Sequence, residues 1–350
     1  MFNILLPPLV FEGALQLDWR RFRSELPLTL VLAFAGVAIA AVLVALGMHA
    51  IMGWSLIGAA LFAVLISATD PVSVIASFRE MGCERRVSMV VESESLLNDG
   101  VAAVGFAVCL SIASGASPGV TSIVPAFLWT LGGGVVVGLV VSGAILLMVG
   151  RTDDPLVEIA LTTIAAYGSF LIAEYLMASG IISTLVAGLL VGSGGTRFLS
   201  HAGRERVRGA WEYFAFLANS FVFILIGMTE ASQPLRDLGS MGAAVAILLV
   251  LAGRAFAVYP LALLFKGSRW RLPASYQHVL FWGGLRGALA LALALAVPPN
   301  VPERSAIILT AFVVVAFSIL VQGLTMPLLI RHFGLARGDR EAVAAPAAAG

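Results

Sequence analysis

Eleven long apolar runs dominate this sequence and restrict what the chain can fold into. The runs cover residues 1–17, 27–50, 54–78, 87–112, 120–149, 156–177, 180–194, 210–230, 239–265, 275–297 and 304–330. Most of them reach the roughly 20 residues that an α-helix needs to cross about 30 Å of hydrocarbon. Their hydrophobicity is continuous rather than alternating, which excludes transmembrane β-strands. With 60% hydrophobic and 12% charged residues, the sequence predicts an all-α, polytopic membrane protein.

Basic residues fall mainly on one side of the predicted membrane. If the loop after the first run faces the cytoplasm, seventeen of the 21 lysine and arginine residues lie in cytoplasmic loops, and only Arg236 and Arg304 lie outside. Arg254 and Arg286 fall inside runs. This distribution follows the positive-inside rule and predicts a multi-pass protein with a cytoplasmic C terminus. The net charge of +1 provides no basic footprint for nucleic acid, so no nucleic-acid partner is expected.

Few residues in this sequence suit covalent or metal chemistry. Cys83 and Cys109 are too few for a disulfide framework or a metal site, and no nucleophile–base pair or nucleotide-binding loop is recognisable. We therefore expect neither an enzyme nor a cofactor.

Carboxylates and amides interrupt the apolar run 87–112 between residues 91 and 100. A carboxylate at the centre of a spanning helix costs on the order of 2.5–3.5 kcal/mol on insertion scales, so such a residue predicts a functional site. On a helix, Glu94 and Asn98 share one face, and Ser95 and Asp99 share the neighbouring face. These two faces of the helix are predicted to contact different partners. The ionisable residues within the apolar runs are Glu12, Asp70, Glu94, Asp99, Glu174, Arg254 and Arg286.

Two spans carry signals of a helix break near their middle. Asp70 followed by Pro71 is typical of an N-cap with proline at the first helical position, so a second half-helix is predicted to start at Pro71. A plain kinked helix is the alternative there. In the run 275–297, three glycines surround Arg286, which can offset the negative ends of unwound carbonyls. The matching positions of the two breaks predict an inverted repeat with broken helices at an ion site.

Several motifs along the chain carry a resemblance to one family. They are Ala-Thr-Asp-Pro at 68–71, Glu-Ser-Leu-Leu-Asn-Asp-Gly at 94–100, Gly-Leu-Arg-Gly-Ala at 284–288, Leu-Pro-Pro-Leu-Val-Phe-Glu-Gly at 6–13, Trp-Glu-Tyr-Phe-Ala-Phe-Leu at 211–217 and Val-Gln-Gly-Leu-Thr at 321–325. Together they resemble the monovalent cation:proton antiporters of the NhaP and eukaryotic sodium/proton exchanger type. Members have twelve or thirteen spans, so the resemblance implies a member lacking the first two. Ser93 departs from the pattern, which has glycine there.

The resemblance implies an inverted-repeat antiporter fold with two broken, crossing transmembrane helices. It assigns cation and proton binding to Asp99, Asp70, Thr69, Ser95, Asn98 and Glu12. Asp99 would bind either a proton or the cation, and Asp99 and Asp70 would be the carboxylate ligands of the transported ion. An asparagine at position 98 goes with electroneutral exchange in the family.

Three further charged residues receive structural roles from the resemblance. Glu94 would pair with Arg254 as an ion bridge between the repeats, which leaves Asp99 to titrate. Arg286 would steady the second broken helix.

The resemblance also divides the chain into functional parts. Residues 24–112 and 239–332 would form the first-repeat and second-repeat parts of a core transport domain, and 120–150 a linker helix. Residues 1–17 and 155–230 would form the dimerisation or scaffold side, and 333–350 a cytoplasmic tail.

The expected function is exchange of a monovalent cation, most readily Na⁺, for protons by alternating access. The partners would be Na⁺, or Li⁺ or K⁺, together with H⁺, the lipid bilayer of the plasma membrane, and a second copy in a homodimer. Such exchange would serve pH and sodium homeostasis. Two alternatives stay open, which are a K⁺/H⁺ exchanger of the same fold and a truncated, non-transporting homologue. A passive channel is disfavoured, because neither a carbonyl filter nor a ring of charges is recognisable.

Overall fold

The computed structural model describes residues 2–113, 120–230 and 239–336, and every regular element in these ranges is helical. The elements are α1 (Phe2–Gln16), α2 (Trp19–Met52), α3 (Leu56–Leu65), α4 (Val72–Glu80), α5 (Arg85–Ala113), α6 (Val120–Val149), α7 (Pro155–Tyr175), α8 (Gly180–Phe198), α9 (His201–Glu230), α10 (Gly239–Leu264), α11 (Ala274–Trp282), α12 (Ala288–Leu295), α13 (Arg304–Phe317), the π-helix π1 (Ser318–Gly323) and α14 (Leu324–His332). The all-α prediction is confirmed. Three of the eleven apolar runs are each built from two α-helices, and these pairs are α3 with α4, α11 with α12, and α13 with α14.

Six helical stretches in the described residues are long and apolar enough to cross a membrane. They are Trp19–Met52, Arg85–Ala113, Pro125–Val149, Pro155–Tyr175, Met241–Leu264 and Arg304–His332. Shorter apolar helices cover Ile4–Gln16, Leu56–Leu65 and Gly180–Gly194. The prediction of a polytopic, α-helical membrane protein is therefore confirmed.

The chain divides into two compact units. The first comprises the described parts of 1–23, 99–234 and 295–297, and the second those of 24–98, 235–294 and 298–350. The division falls inside α5, between Asn98 and Asp99, and the functional parts that the resemblance implies stay predictions. Within the first unit, α5 packs closely against α8, because a Cβ on Gly100 would meet Ile182. Residues 337–350 of the expected tail lie outside the described residues.

The first unit packs α1, α6, α7, α8 and α9 around aromatic side chains. The rings of Phe11 and Trp211 lie 4.3 Å apart, and the Trp211 indole donates a hydrogen bond of 3.1 Å to the Thr162 hydroxyl. Both aromatic side chains are fully buried. Gly188 and Gly192 let α8 approach the backbone of α1, because a Cβ at either position would meet α1 main-chain atoms.

The second unit holds the two spans that are interrupted by non-helical residues, α3 with α4 and α11 with α12. Its apolar core includes Leu28, Val74, Val90, Val258, Val279 and Met326, which come from α2, α4, α5, α10, α11 and α14. At the start of α3, the Ser55 backbone N–H and hydroxyl donate to the Glu303 carboxylate at 2.8 and 2.9 Å. This carboxylate satisfies a backbone donor at the helix start. The first half-helix is thereby attached to the segment that precedes α13.

Candidate functional site

The first break lies between α3 and α4, where residues 66–71 leave the helix. A break at this place is confirmed, but the predicted cap is wrong by one residue. Helix α4 begins at Val72, and its N-cap is Pro71, whose side chain has no hydrogen-bonding group. The first helical hydrogen bond runs from the Ile75 N–H to the Pro71 carbonyl, which makes Pro71 and not Asp70 the cap. The Asp70 backbone N–H donates a 2.8 Å hydrogen bond to the Leu285 carbonyl of the second break. Asp70 therefore belongs to the non-helical crossing segment.

The second break occupies residues 283–287, between α11 and α12. Its glycines permit close approach. A Cβ on Gly287 would overlap the Asp70 side chain, and a Cβ on Gly284 would meet the Arg254 guanidinium. Neither glycine has a positive φ. The glycines are therefore required by the space around them and not by an unusual backbone conformation.

The Arg286 side chain, carried by the second break, donates hydrogen bonds to the first break. Its Nη1 donates to the Ser67 carbonyl at 2.8 Å and to the Ala68 carbonyl at 3.2 Å, and the residue is buried. These carbonyls follow the C-terminal end of α3, where the helix dipole is negative. This cation therefore compensates carbonyls of the first break, and the expected steadying of the second broken helix by the same side chain stays a prediction.

Three buried polar side chains meet where α5 faces the first break. The Ser95 hydroxyl donates to the Thr69 carbonyl, the Thr69 hydroxyl donates to Ser95 Oγ at 3.0 Å, and Asn98 Nδ2 lies 3.3 Å from Thr69 Oγ1. All three residues are at most 3% exposed. Among the described residues, Asn98 Oδ1 is buried and accepts no hydrogen bond. This cluster places hydroxyl, carbonyl and amide oxygens together in an apolar bundle, and these are the ligand atoms that hard cations prefer.

Glu94 and Arg254 form a buried, two-pronged ion pair. Arg254 Nη1 and Nη2 donate to the two Glu94 carboxylate oxygens at 2.7 and 2.8 Å. The guanidinium also donates to the Leu280 carbonyl from Nε at 3.2 Å and from Nη2 at 3.0 Å. Asn98 Nδ2 lies 3.3 Å from Glu94 Oε1, a contact between the two residues that were predicted to share one face of α5. A pair this well satisfied offsets the cost of burying its charges.

The remaining predicted acids differ from Glu94 in their exposure. Asp70, Asp99 and Glu12 are each partly exposed, whereas Glu94 is 1% exposed. Glu12 accepts a hydrogen bond from Gln16 within α1. Asp99 and Glu12 belong to the first unit, and the Thr69–Ser95–Asn98 cluster belongs to the second. Glu94, which is paired with Arg254, is thus the most buried of these four acids.

Two buried polar residues of the last span were missed from the sequence. Ser318 and Gln322 contact the second break and are 1% and 4% exposed. The presence of a serine and a glutamine in the apolar run 304–330 was the available signal. Neither residue is ionisable, so the search for intramembrane charges passed over both.

Curated relatives of this chain are antiporters by name. It is 40% identical over 344 residues to the Na⁺/H⁺ antiporter ApNhaP of Aphanothece halophytica, covering 97% of this chain and 66% of that protein. It is 39% identical to the low-affinity Na⁺/H⁺ antiporter NhaS1 of Synechocystis, covering 96% and 65%. The chain therefore spans slightly less than two thirds of these relatives. With the Na⁺/H⁺ antiporter NhaH of Halobacillus dabanensis, identity is 34% and the coverage is 96% and 83%.

A solved structure supports the fold independently. The sodium proton antiporter MjNhaP1 of Methanocaldococcus jannaschii matches with a TM-score of 0.81 at 18% identity, over 94% of this chain and 84% of that one. The predicted inverted-repeat antiporter fold is thereby confirmed. The sequence model described as sodium/hydrogen exchanger, transmembrane, matches residues 1–332, which is nearly the whole chain. The chain therefore belongs to the sodium/hydrogen exchanger family.

Proposed function

We propose that this protein exchanges a monovalent cation, Na⁺ in the first place, for protons across the plasma membrane. The observation that carries the proposal is the meeting of two helix breaks beside a buried oxygen cluster. The Asp70–Leu285 hydrogen bond joins the breaks, and Thr69, Ser95 and Asn98 supply the neighbouring oxygens. Broken helices of this kind build ion sites in secondary transporters. Family membership and the named relatives support the same function.

Asp99 is the proposed exchange carboxylate. It lies one turn after Ser95 on α5, and unlike Glu94 the residue is not fully buried. A carboxylate occupied by a proton carries no charge for a cation, so the two ligands compete for one site. Asp70 and Glu12 are proposed to contribute further carboxylate oxygens. Competition makes the exchange obligatory if the site changes its access only when it is loaded.

The Glu94–Arg254 pair has a separate proposed role. Because each Glu94 oxygen accepts from the guanidinium, this carboxylate has little capacity left for a cation. It would fix α5 against α10 while Asp99 changes its ligand. One-for-one exchange of a cation for a proton moves no net charge. The uncharged Asn98 supports this stoichiometry, since an asparagine at this position goes with electroneutral exchange in the family.

The remaining features of the proposal concern the assembly and its orientation. We propose a homodimer built on helices of the first unit, with the C terminus in the cytoplasm. Large apolar side chains are exposed on α6 and α9 of this unit. Examples are Leu128, Trp129, Val140, Phe216 and Phe221. Such surfaces suit lipid or a second copy of the chain.

The test is cation-induced collapse of a pH gradient in everted vesicles from antiporter-deficient bacteria. Na⁺, Li⁺ and K⁺ are titrated separately, for the wild type and for Asp99→Asn. Asp153→Asn is the matched control, because Asp153 is exposed in the turn before α7. We expect Na⁺ to collapse the gradient for the wild type and the control, and not for Asp99→Asn.

The other outcomes decide against parts of the proposal. Activity that persists in Asp99→Asn would remove this residue from the exchange site. Collapse by K⁺ alone would replace the proposed cation by K⁺. No collapse with any cation, despite inserted protein, would contradict exchange by this chain.

A further inference from the structure

A π-helical turn interrupts the span that follows the second break. π1 covers Ser318–Gly323 between α13 and α14. π-helices are rare, appear mostly as short insertions in α-helices, and frequently lie at functional sites. Two side chains of π1, Ser318 and Gln322, are buried. Both of them point at residues of the second break or its border.

Ser318 holds the C-terminal end of the second break. Its Oγ accepts a hydrogen bond of 3.0 Å from the Arg286 backbone N–H. The hydroxyl also lies 3.2 Å from the Arg286 carbonyl and 2.9 Å from the Val315 carbonyl, to either of which it can donate its proton. A serine hydroxyl thus supplies both an acceptor and a donor to one non-helical residue.

Gln322 holds the N-terminal end of the same break. Its Nε2 donates to the carbonyl of Trp282, the last residue of α11, at 3.0 Å. The Trp282 indole in turn donates to the Thr325 hydroxyl at 2.9 Å. Carbonyls at a helix end lack partners within the helix, and an unsatisfied one is costly at membrane depth. Gln322 supplies the missing donor.

This arrangement parallels the contacts of the first break. In the first repeat, the span after the break is α5, where Ser95 donates to the Thr69 carbonyl and Asn98 follows three positions later. In the second repeat, Ser318 faces the Arg286 carbonyl, and Gln322 follows four positions later. The wider π-turn makes four positions nearly equivalent to three in an α-helix. Each repeat therefore directs a serine and an amide from one span to the break before it.

The two repeats differ in the charge of this motif. In the first, Glu94 and Asp99 flank the serine and the amide, whereas the π1 segment contains no ionisable residue. The second-repeat motif therefore has hydrogen-bonding groups and no titrating group. Ser318 and Gln322 form hydrogen bonds with the backbone of residues 286 and 282. Neighbouring groups of the same segment contact the first break. The Leu285 carbonyl accepts from Asp70, and the Arg286 guanidinium donates to Ser67 and Ala68 carbonyls.

We propose that Ser318 and Gln322 are positioning residues of the exchange site, which hold the second break in register with Asp70 without binding the ion. This inference rests on the proposed exchange function for its transport readout. When Ser318 loses its hydroxyl, the Arg286 backbone loses its partner and the segment 283–287 gains freedom. The ligand oxygens beside Asp70 are then held less well, so cation affinity falls more than the maximal rate.

The first experiment is amide hydrogen exchange on the purified protein, which does not depend on transport. Peptides covering residues 283–290 are compared in the wild type, Ser318→Ala, Ser318→Thr and Ser142→Ala. Ser142 is the matched control, because it is fully buried and its hydroxyl contacts no hydrogen-bonding partner in the described part of the chain. We expect Ser318→Ala to accelerate exchange about tenfold in these peptides, since a stabilised amide opens less often. Ser318→Thr should restore protection, and Ser142→Ala should leave it unchanged.

The second experiment measures the concentration of Na⁺ that gives half-maximal collapse of the pH gradient. We expect Ser318→Ala and Gln322→Met to raise this concentration about fivefold or more, with a smaller loss of maximal rate. Unchanged protection in 283–290 together with an unchanged half-maximal concentration would overturn the inference. If Ser318→Ala does not fold, Gln322→Met decides by the same transport measurement. If the wild type itself exchanges no cation, the proposed function fails, and the hydrogen-exchange result still decides whether Ser318 holds the break.

Discussion

The backbone N–H of Asp70 and the carbonyl oxygen of Leu285 are 2.8 Å apart and form a main-chain hydrogen bond between the two helix breaks. This bond does not depend on the carboxylate, so a substitution at position 70 can change charge while the crossing is retained. It does depend on how closely the two segments approach. The glycines of the second break set that approach.

Gly287→Ala is predicted to disrupt the crossing. A Cβ at this position would overlap the Asp70 side chain, which lies beside backbone and cannot move without displacing the first break. We expect a loss of about 1–3 kcal/mol in unfolding free energy, as for overpacking in other cores. Na⁺-induced collapse of the pH gradient should fall as well. Thermal unfolding in detergent and vesicle transport measure the two effects.

Gly132→Ala is the control for that substitution. Gly132 lies in α6 with no atom within 4 Å of the added Cβ, so the change should be neutral or stabilise the helix by up to about 1 kcal/mol. Equal behaviour of the two alanine variants would contradict the steric argument.

Arg254→Ala is predicted to cost much of the protein's stability. The substitution leaves the Glu94 carboxylate buried without its guanidinium partner, a change that costs about 3–5 kcal/mol in other buried pairs. The double variant Glu94→Gln with Arg254→Met removes both charges and keeps an acceptor for Asn98. It should unfold at a higher temperature than Arg254→Ala. A double variant that is no more stable than the single one would show that charge compensation is not the cause.

Cys83 is predicted to react slowly with thiol reagents near neutral pH. It lies in the turn between α4 and α5, and burial raises the pKa of its thiol. Only the thiolate reacts, so a higher pKa leaves less reactive form at a given pH. The measurement is the rate of reaction with iodoacetamide in a Cys109→Ser background. This rate should rise nearly tenfold for each pH unit between about pH 7 and pH 8.5. For an exposed cysteine, whose pKa is near 8.5, the rate would already begin to level off in this range. An early plateau would contradict the raised pKa.

A reporter fused after Gly350 is predicted to lie in the cytoplasm. The bias of seventeen basic residues toward one set of loops supports this orientation. Green fluorescent protein, which does not mature after export through the general secretory route, should fluoresce at this position. Alkaline phosphatase fused there should stay inactive. An active alkaline phosphatase fusion and a non-fluorescent protein fusion would contradict the prediction. The C terminus and the loops assigned to the cytoplasm would then lie on the opposite side of the membrane.

Local signals were sufficient to predict where the spans break. Proline and glycine clusters favour the end of a helix. Both spans are interrupted where these residues occur, at Pro71 after Asp70 and at the glycines around Arg286. The helix start was misjudged by one residue, because the Pro71 carbonyl accepts the first helical bond. The bond from the Asp70 N–H to Leu285 was not foreseen, since a long-range contact leaves no trace in the neighbouring sequence. A pattern in one segment does not include the partner that another segment provides.

Side-chain directions were harder to predict than positions. Arg286 was expected to steady the second broken helix, and nothing in the neighbouring sequence indicated that its guanidinium reaches the carbonyls after α3. Ser318 and Gln322 were not recognised, since a π-turn has no sequence signature and both residues lie in an apolar run. The proposed roles of Asp99, Asp70 and Glu12 in ion binding stay predictions until transport is measured.

The contact of Arg286 with the Ser67 carbonyl has a consequence for the order of synthesis. The two residues are separated by 219 positions, so the carbonyls after α3 leave the ribosome long before their cationic partner exists. Until then these groups need water or the insertion machinery as a partner, because hydrocarbon offers none. The first half of the chain thus cannot complete its own fold, and maturation of the early helices must wait for the late ones.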